Sequence, residues 1–166
     1  FSSSDSYIFN NNDVLVSNCS FSNNEGVLFD VGHHFGLDVY LINSVFINQS
    51  GHIITRTESN PFNMEIIECL FKDNMEDLFY FVQPNDQGDY TATIHNSSFI
   101  NNSEAIYTGS TIYFTNNVDG FDYVRFQNNM FYGNGSNTDH IINSAEPVTL
   151  TSNLFIDNLS DGSLLK

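Results

Sequence analysis

The sequence predicts an all-β protein: a right-handed, single-stranded parallel β-helix (solenoid) of about six coils, each of roughly 25 residues. Three observations predict it. Phenylalanine returns at Phe21, Phe46, Phe71, Phe99, Phe131 and Phe155, at intervals of 25, 25, 28, 32 and 24 residues. Three residues later stands Asn24, Gln49, Asn74, Asn102, Asn134 or Asn158. Apolar residues precede each Phe by seven (Val14, Val39, Met64, Ala92, Val124, Val148) and by five (Val16, Leu41, Ile66, Ile94, Phe126, Leu150). With 16 Phe and 24 Asn, chance would place Asn three after Phe about twice; it does so eight times, five of them in this register. A β-sandwich or propeller with coincidental spacing is the competing reading.

Each element follows from local pattern. The apolar residues at minus seven and minus five alternate with outward Leu15, Tyr40, Glu65, Thr93, Arg125 and Thr149, the period-two signature of a strand with one buried face. A second apolar run follows each Phe: Val27-Leu28-Phe29, Ile53-Ile54, Leu78-Phe79-Tyr80, Ala105-Ile106-Tyr107, Ile141-Ile142 and Leu164-Leu165. Each period therefore holds two or three short strands. Parallel coils stack at about 4.7–4.9 Å, so equivalent residues lie above one another. The Phe column is expected to form an interior aromatic stack. The Asn columns suit the bends, because Asn tolerates a left-handed backbone and hydrogen-bonds to nearby main chain.

The 166 residues read as one domain. Residues 1–12 read as a degraded first coil, and stretches at about 83–90 and 108–120 read as insertions. Phe1 reads as a processed or truncated start, and both ends read as cut from something longer. Twenty acidic and four basic side chains give a net charge of −16, which argues against nucleic acid or an anionic membrane as partner. No apolar run reaches the length of a membrane span. Cys19 and Cys69 share one column with Ser44 between them, roughly 9–10 Å apart. That exceeds the reach of a disulfide, so two free interior thiols are expected.

Phe21-Ser-Asn-Asn24, Phe71-Lys-Asp-Asn74, Phe99-Ile-Asn-Asn102, Phe131-Tyr-Gly-Asn134 and Phe155-Ile-Asp-Asn158 resemble the Phe-x-x-Asn tetrapeptide of the polymorphic outer-membrane protein repeats. Glu25-Gly-Val-Leu28, Ser50-Gly-His-Ile53, Ser103-Glu-Ala-Ile106 and Asp161-Gly-Ser-Leu164 approximate that family's Gly-Gly-Ala-Ile-like tetrapeptide. The resemblance spans nearly the whole chain through short motifs. It implies a secreted or surface-displayed passenger module used in adhesion.

Chemistry is sparse. Parallel β-helices also house polysaccharide lyases and hydrolases, which gives a pectin-lyase-like alternative. A lyase needs clustered carboxylates for calcium and a basic residue for the sugar proton. Arg125 is the best-placed base, but Asp13 and Asp38 should lie three to four coils away, roughly 14–20 Å. Among 20 acidic residues carboxylate pairs at glycosidase spacing arise by chance, and nothing singles out one such pair, Asp38 with Glu65. His33-His34 is a candidate metal pair whose rings would face opposite sides of a strand. Asn85-Asp-Gln-Gly-Asp89 offers oxygen ligands for calcium, without the distal Glu of an EF-hand loop. Outward Tyr40 and Tyr123 could stack on sugars. Sequons begin at Asn18, Asn48, Asn96, Asn101, Asn134 and Asn158; the first and third read as structural, while Asn48, Asn101, Asn134 and Asn158 read as candidate glycosylation sites.

The expected function is an extracellular, cell-surface structural or adhesive module without catalytic, cofactor or metal residues. Its expected partners are glycans or a cell surface, and further coils or copies of itself at exposed strand edges. The alternative is a polysaccharide-processing or carbohydrate-binding β-helix.

Overall fold

The computed structural model describes residues 6–10, 13–31, 38–56, 62–76, 78–83, 90–102, 112–116, 123–135, 141–144 and 148–159. Across these residues the chain is a β-solenoid. An N-terminal strand β1 (Ser6–Asn10) precedes the turns. The first turn holds β2 (Asp13–Ser17), β3 (Ser20–Ser22) and β4 (Phe29–Asp30). The second holds β5 (Asp38–Ile42), β6 (Val45–Ile47) and β7 (Ile54–Arg56), and the third β8 (Phe62–Ile67), β9 (Leu70–Lys72) and β10 (Phe79–Gln83). The fourth holds β11 (Tyr90–His95), β12 (Ser98–Ile100) and β13 (Ile112–Asn116), and the fifth β14 (Tyr123–Gln127), β15 (Met130–Tyr132) and β16 (Ile142–Ser144). A sixth contributes β17 (Val148–Thr151) and β18 (Leu154–Ile156). Five turns are thus complete among the described residues, slightly short of six.

The turns stack into three faces. The first runs β1-β2-β5-β8-β11-β14-β17, the second β3-β6-β9-β12-β15-β18, and the third β4-β7-β10-β13-β16. From β2 onward every pairing is parallel. Register follows the repeat: Val14 pairs with Val39, Val39 with Met64, Met64 with Ala92, Ala92 with Val124 and Val124 with Val148. Among the described residues no helix is long and apolar enough to cross a membrane.

The core is the predicted pillar. Phe21, Phe46, Phe71, Phe99, Phe131 and Phe155 stack with ring centroids 5.2, 5.1, 5.0, 4.7 and 4.7 Å apart and near-parallel planes. Such spacing falls within the range where aromatic pairs add about 0.5–1.5 kcal/mol beyond burial. Phe29 and Phe79 meet the pillar edge-on from the third face, and Phe126 from the first. Cys19 and Cys69 are buried, and neither forms a disulfide.

Glycine acts where turns approach most closely. Gly26 takes a left-handed φ of 78°, and a Cβ on Gly51 in the turn above would run into the Gly26 carbonyl. Gly51 of Ser50-Gly-His-Ile53 is therefore a steric requirement of stacking, while Gly26 of Glu25-Gly-Val-Leu28 serves the left-handed backbone.

Two expected segments differ. Ser6–Asn10 is not a parallel rung: it folds back antiparallel on β2, Asn10 opposite Asp13 and Ser6 opposite Ser17. Only two residues separate the strands, which suits a hairpin and is too short for a parallel crossover. Residues 108–120 are not simply an insertion, because they contain β13, which pairs with β10 and β16. Ile112 and Phe114 take the register positions of Phe79 and Phe81. The earlier run Ala105-Ile106-Tyr107, and likewise Leu164-Leu165, lie outside the described residues.

Phe99→Ala is expected to cost about 3–5 kcal/mol, because its ring is fully buried between two others. Phe155→Ala should cost less than half as much, since this terminal ring is half-buried and stacked on one side. Urea unfolding of both variants checks the order.

Candidate functional site

Two kinds of polar column run along the solenoid, and they differ by one residue in the repeat. The residues three before Phe (Asn18, Asn43, Glu68, Asn96, Asn128, Ser152) all have φ between 45° and 56°. So do most of those two after it: Asn23, Asn48, Asp73, Asn101 and Asp157 at 50–55°, with Gly133 at 63°. These are the left-handed corners where Asn, Asp and Gly are least strained. Their side chains face outward and link turn to turn, Asn43 Nδ2 donating to Asn18 Oδ1 and Asn48 Nδ2 to Asn23 Oδ1.

The column three after Phe faces inward. Gln49, Asn74, Asn102 and Asn134 are buried. Each amide clamps the turn before it. Asn102 Nδ2 donates to the Phe71 carbonyl at 2.9 Å, while its Oδ1 accepts from the Asn74 backbone N–H at 3.2 Å and side-chain amide at 2.8 Å. Asn134 does the same for Phe99 and Asn102, and Asn158 for Phe131 and Asn134. Gln49 reaches the Phe21 carbonyl by its longer side chain. Buried main-chain groups at this corner, which the short strands leave unpaired, are thereby satisfied.

A second inward ladder stands two before Phe: Cys19, Ser44, Cys69, Ser97, Asn129, Asn153. Ser44 Oγ accepts from Cys19 N–H, Ser97 Oγ from Cys69 N–H, Asn129 Oδ1 from Ser97 N–H and Asn153 Oδ1 from Asn129 N–H. Sequence reasoning missed this ladder, although a small or amide side chain in every copy was its signal.

These geometries correct the sequon assignment. Asn18, Asn48, Asn96 and Asn101 are exposed at left-handed corners. Asn134 is fully buried, and its amide nitrogen is committed to Phe99 and Asn158. Asn158 is half-buried, with its nitrogen on the Phe131 carbonyl. A glycan on either nitrogen would require the buried ladder to open; the exposed sequon asparagines are Asn18, Asn48, Asn96 and Asn101, of which Asn48 and Asn101 donate along the outward corner column to Asn23 and Asp73.

The first face carries the remaining candidates outward. Tyr40, Glu65, Thr93, Arg125 and Thr149 occupy one column in that order. Asp13 pairs with Asp38 at the opposite end of the sheet from Arg125. Asp38 accepts from the Asn63 backbone and side chain at 3.1 and 3.0 Å, and Glu65 lies 3.6 Å from His95. Burial, then the charges of Asp38, Asp13 and Glu65, pushes the Tyr40 phenol upward. The register therefore keeps Arg125 apart from the Asp13–Asp38 pair. His33, His34 and the loop 85–89 lie outside the described residues, as does the side chain of Tyr123. Among the described residues no group of three or more His, Cys, Asp or Glu could hold a metal ion.

Asn102→Leu keeps the volume but strands the Phe71 carbonyl and Asn74 N–H, each costing about 1–3 kcal/mol. Asn102→Gln should cost less, because Gln49 already serves this column; denaturant melts of the two variants decide. For Cys69, burial is the main cause raising the thiol from 9.0 to about 11, against hydrogen bonds at Ser44 and Ile67 that lower it. The folded state thus favours the protonated thiol. Its stabilisation is present below about pH 9 and is lost as pH rises through about 11, a loss approaching 2–3 kcal/mol. Cys69→Ala should show that much less alkaline destabilisation in urea melts at pH 8 and pH 11.

Comparison with protein-family models, with curated proteins and with solved structures finds no match to this chain.

Proposed function

We propose that the chain is a non-enzymatic structural and adhesive β-solenoid module displayed outside the cell. The single observation that carries this reading is how its functional groups are used. The inward amides are consumed in holding successive turns in register. On the outward face, strand register sets Arg125 apart from the paired Asp13 and Asp38. A surface module needs a rigid, repetitive, strongly charged exterior. The net charge of −16 and the exposed corner columns supply one. The likeness of the Phe-x-x-Asn copies to polymorphic outer-membrane protein repeats supports display and adhesion. Glycans or a cell surface are the proposed partners.

The pectin-lyase-like reading makes the opposite demand, a base and carboxylates converging on one sugar. Incubation with uronic-acid polymers, followed by unsaturated-product absorbance and reducing-end assays, separates the two. No turnover is expected, together with saturable binding to a glycan array or to whole cells. Turnover that survives purification and disappears in Arg125→Ala would overturn the proposal.

A further inference from the structure

The second face of the solenoid is apolar on its outside as well as its inside. Its strands in turns two to five, β6, β9, β12 and β15, each set a buried Phe between two outward side chains. Of these eight outward positions, two on each of four strands, six are apolar: Val45, Ile47, Leu70, Ile100, Met130 and Tyr132. The other two are Lys72 and Ser98, and none is acidic, although the chain carries 20 acidic residues. Tyr132 is 40% exposed and the rest are half-buried. A sheet face turned to water alternates apolar-in with polar-out, whereas strands apolar on both sides mark a sheet covered on both sides. The first face of the same turns differs, with Asp38, Glu65 and Arg125 outward.

The apolar strip has a polar rim. Asn43, Glu68, Asn96 and Asn128 stand exposed along one left-handed corner, and Asn48, Asp73 and Asn101 follow the other. An apolar centre within a polar rim is the anatomy of a protein contact. Both rim carboxylates of these turns, Glu68 and Asp73, belong to the third turn, as does Lys72, whose Nζ lies 3.6 Å from Asp73. All four strands are paired on both edges, so what they offer is a face and not a free strand edge.

We propose that this second face docks a second copy of the chain, the two forming an isologous two-fold dimer. Charge selects that occupant. Chains bearing −16 each repel wherever carboxylates meet, and these outward columns hold none. A cationic partner would find its counter-charges on the first face, at Asp13, Asp38 and Glu65. A two-fold axis parallel to the solenoid axis sets each strand against itself in the opposite direction, within the roughly 30° of aligned sheet packing. Val45 then meets Ile47 of the second copy, and Met130 meets Tyr132. Lys72 falls between its own Asp73 and Glu68 of the second copy, so the rim charges pair across the contact. The strip is two side chains wide, which places the contact in the weakly associating class that buries less than about 1,200 Å² in total. Dimerisation goes beyond the function proposed above and does not rest on it: neither the uronic-acid assay nor the glycan array bears on it.

The test is sedimentation equilibrium of the full chain over a concentration series reaching about 1 mM, with a monomer–dimer dissociation constant of about 10 µM to 1 mM expected. Added salt should tighten the dimer, because it screens the repulsion between the copies. Ile100→Asp, an outward substitution at the strip, should weaken association at least about tenfold. Thr93→Asp, outward on the first face of the same turn, adds the same charge and should leave association as it is. Lys72→Glu should also weaken it, and adding Glu68→Lys to that variant should restore it, because the pair is only reversed across the contact. The proposal is overturned if the chain stays monomeric throughout, if it assembles beyond a dimer, if Ile100→Asp changes nothing, if Thr93→Asp weakens association equally, or if the reversed pair does not restore it. A monomer that floats with phosphatidylcholine vesicles until Ile100→Asp releases it would assign the face to lipid and overturn the proposal as well.

Discussion

The structure depends on a pair of left-handed corners set five residues apart. Asn43 and Asn48, at φ 45° and 55°, leave room between them for one small buried residue and a three-residue strand with Phe46 at its centre. The same spacing holds in every described turn. The chain therefore bends sharply at the same two places, and each Phe is delivered to the same point on the axis. Left-handed backbone costs an ordinary residue about 1–2 kcal/mol, which explains why Asn, Asp and Gly crowd these positions. Variation in repeat length is pushed elsewhere. The 28- and 32-residue periods take their extra residues outside this segment, so neither the pillar nor its register is disturbed.

Rings alone would not hold that register. A Phe pillar rewards burial, and burial has no direction along the strand. The inward amides supply what it lacks. Each is satisfied chiefly by main-chain and amide groups of the neighbouring turns, so sliding a turn by one residue would leave several buried polar groups without partners. The pillar contributes most of the favourable energy, and the amide ladders select one stacking from the alternatives.

This division explains what the sequence made legible. The Phe column, the alternating first face and the parallel stacking were readable because period, alternation and burial agree in each copy. The inward and outward Asn columns were harder to separate. Asn101 and Asn102 are identical residues, yet one is an exposed corner and the other a buried clamp. Composition cannot separate them, and only the three-dimensional path of the corner does. The same blind spot placed a candidate glycan on Asn134. The ladder through Cys19, Ser44, Cys69, Ser97, Asn129 and Asn153 was hidden because its members share a size and an acceptor role, not a name. β1 and β13 escaped for another reason. An antiparallel hairpin has no copy elsewhere in the chain, and β13, though a copy of the third-face strands, stands further from its Phe than they do because its period is the longest.

A solenoid is held by neighbouring turns, so its stability is close to a sum of turns and interfaces. Interior turns here are gripped from both sides. The first turn is gripped by the second and by β1, while the sixth meets a described neighbour only through the fifth. Local opening is easiest where apolar contacts are fewest and strand hydrogen bonds are most exposed. Leu150 and the half-buried Phe155 place that weakness at the C-terminal end. Among the described residues this turn combines an exposed core with strand partners on one side alone. Weak cohesion and the exposed core at that turn thus have one physical origin.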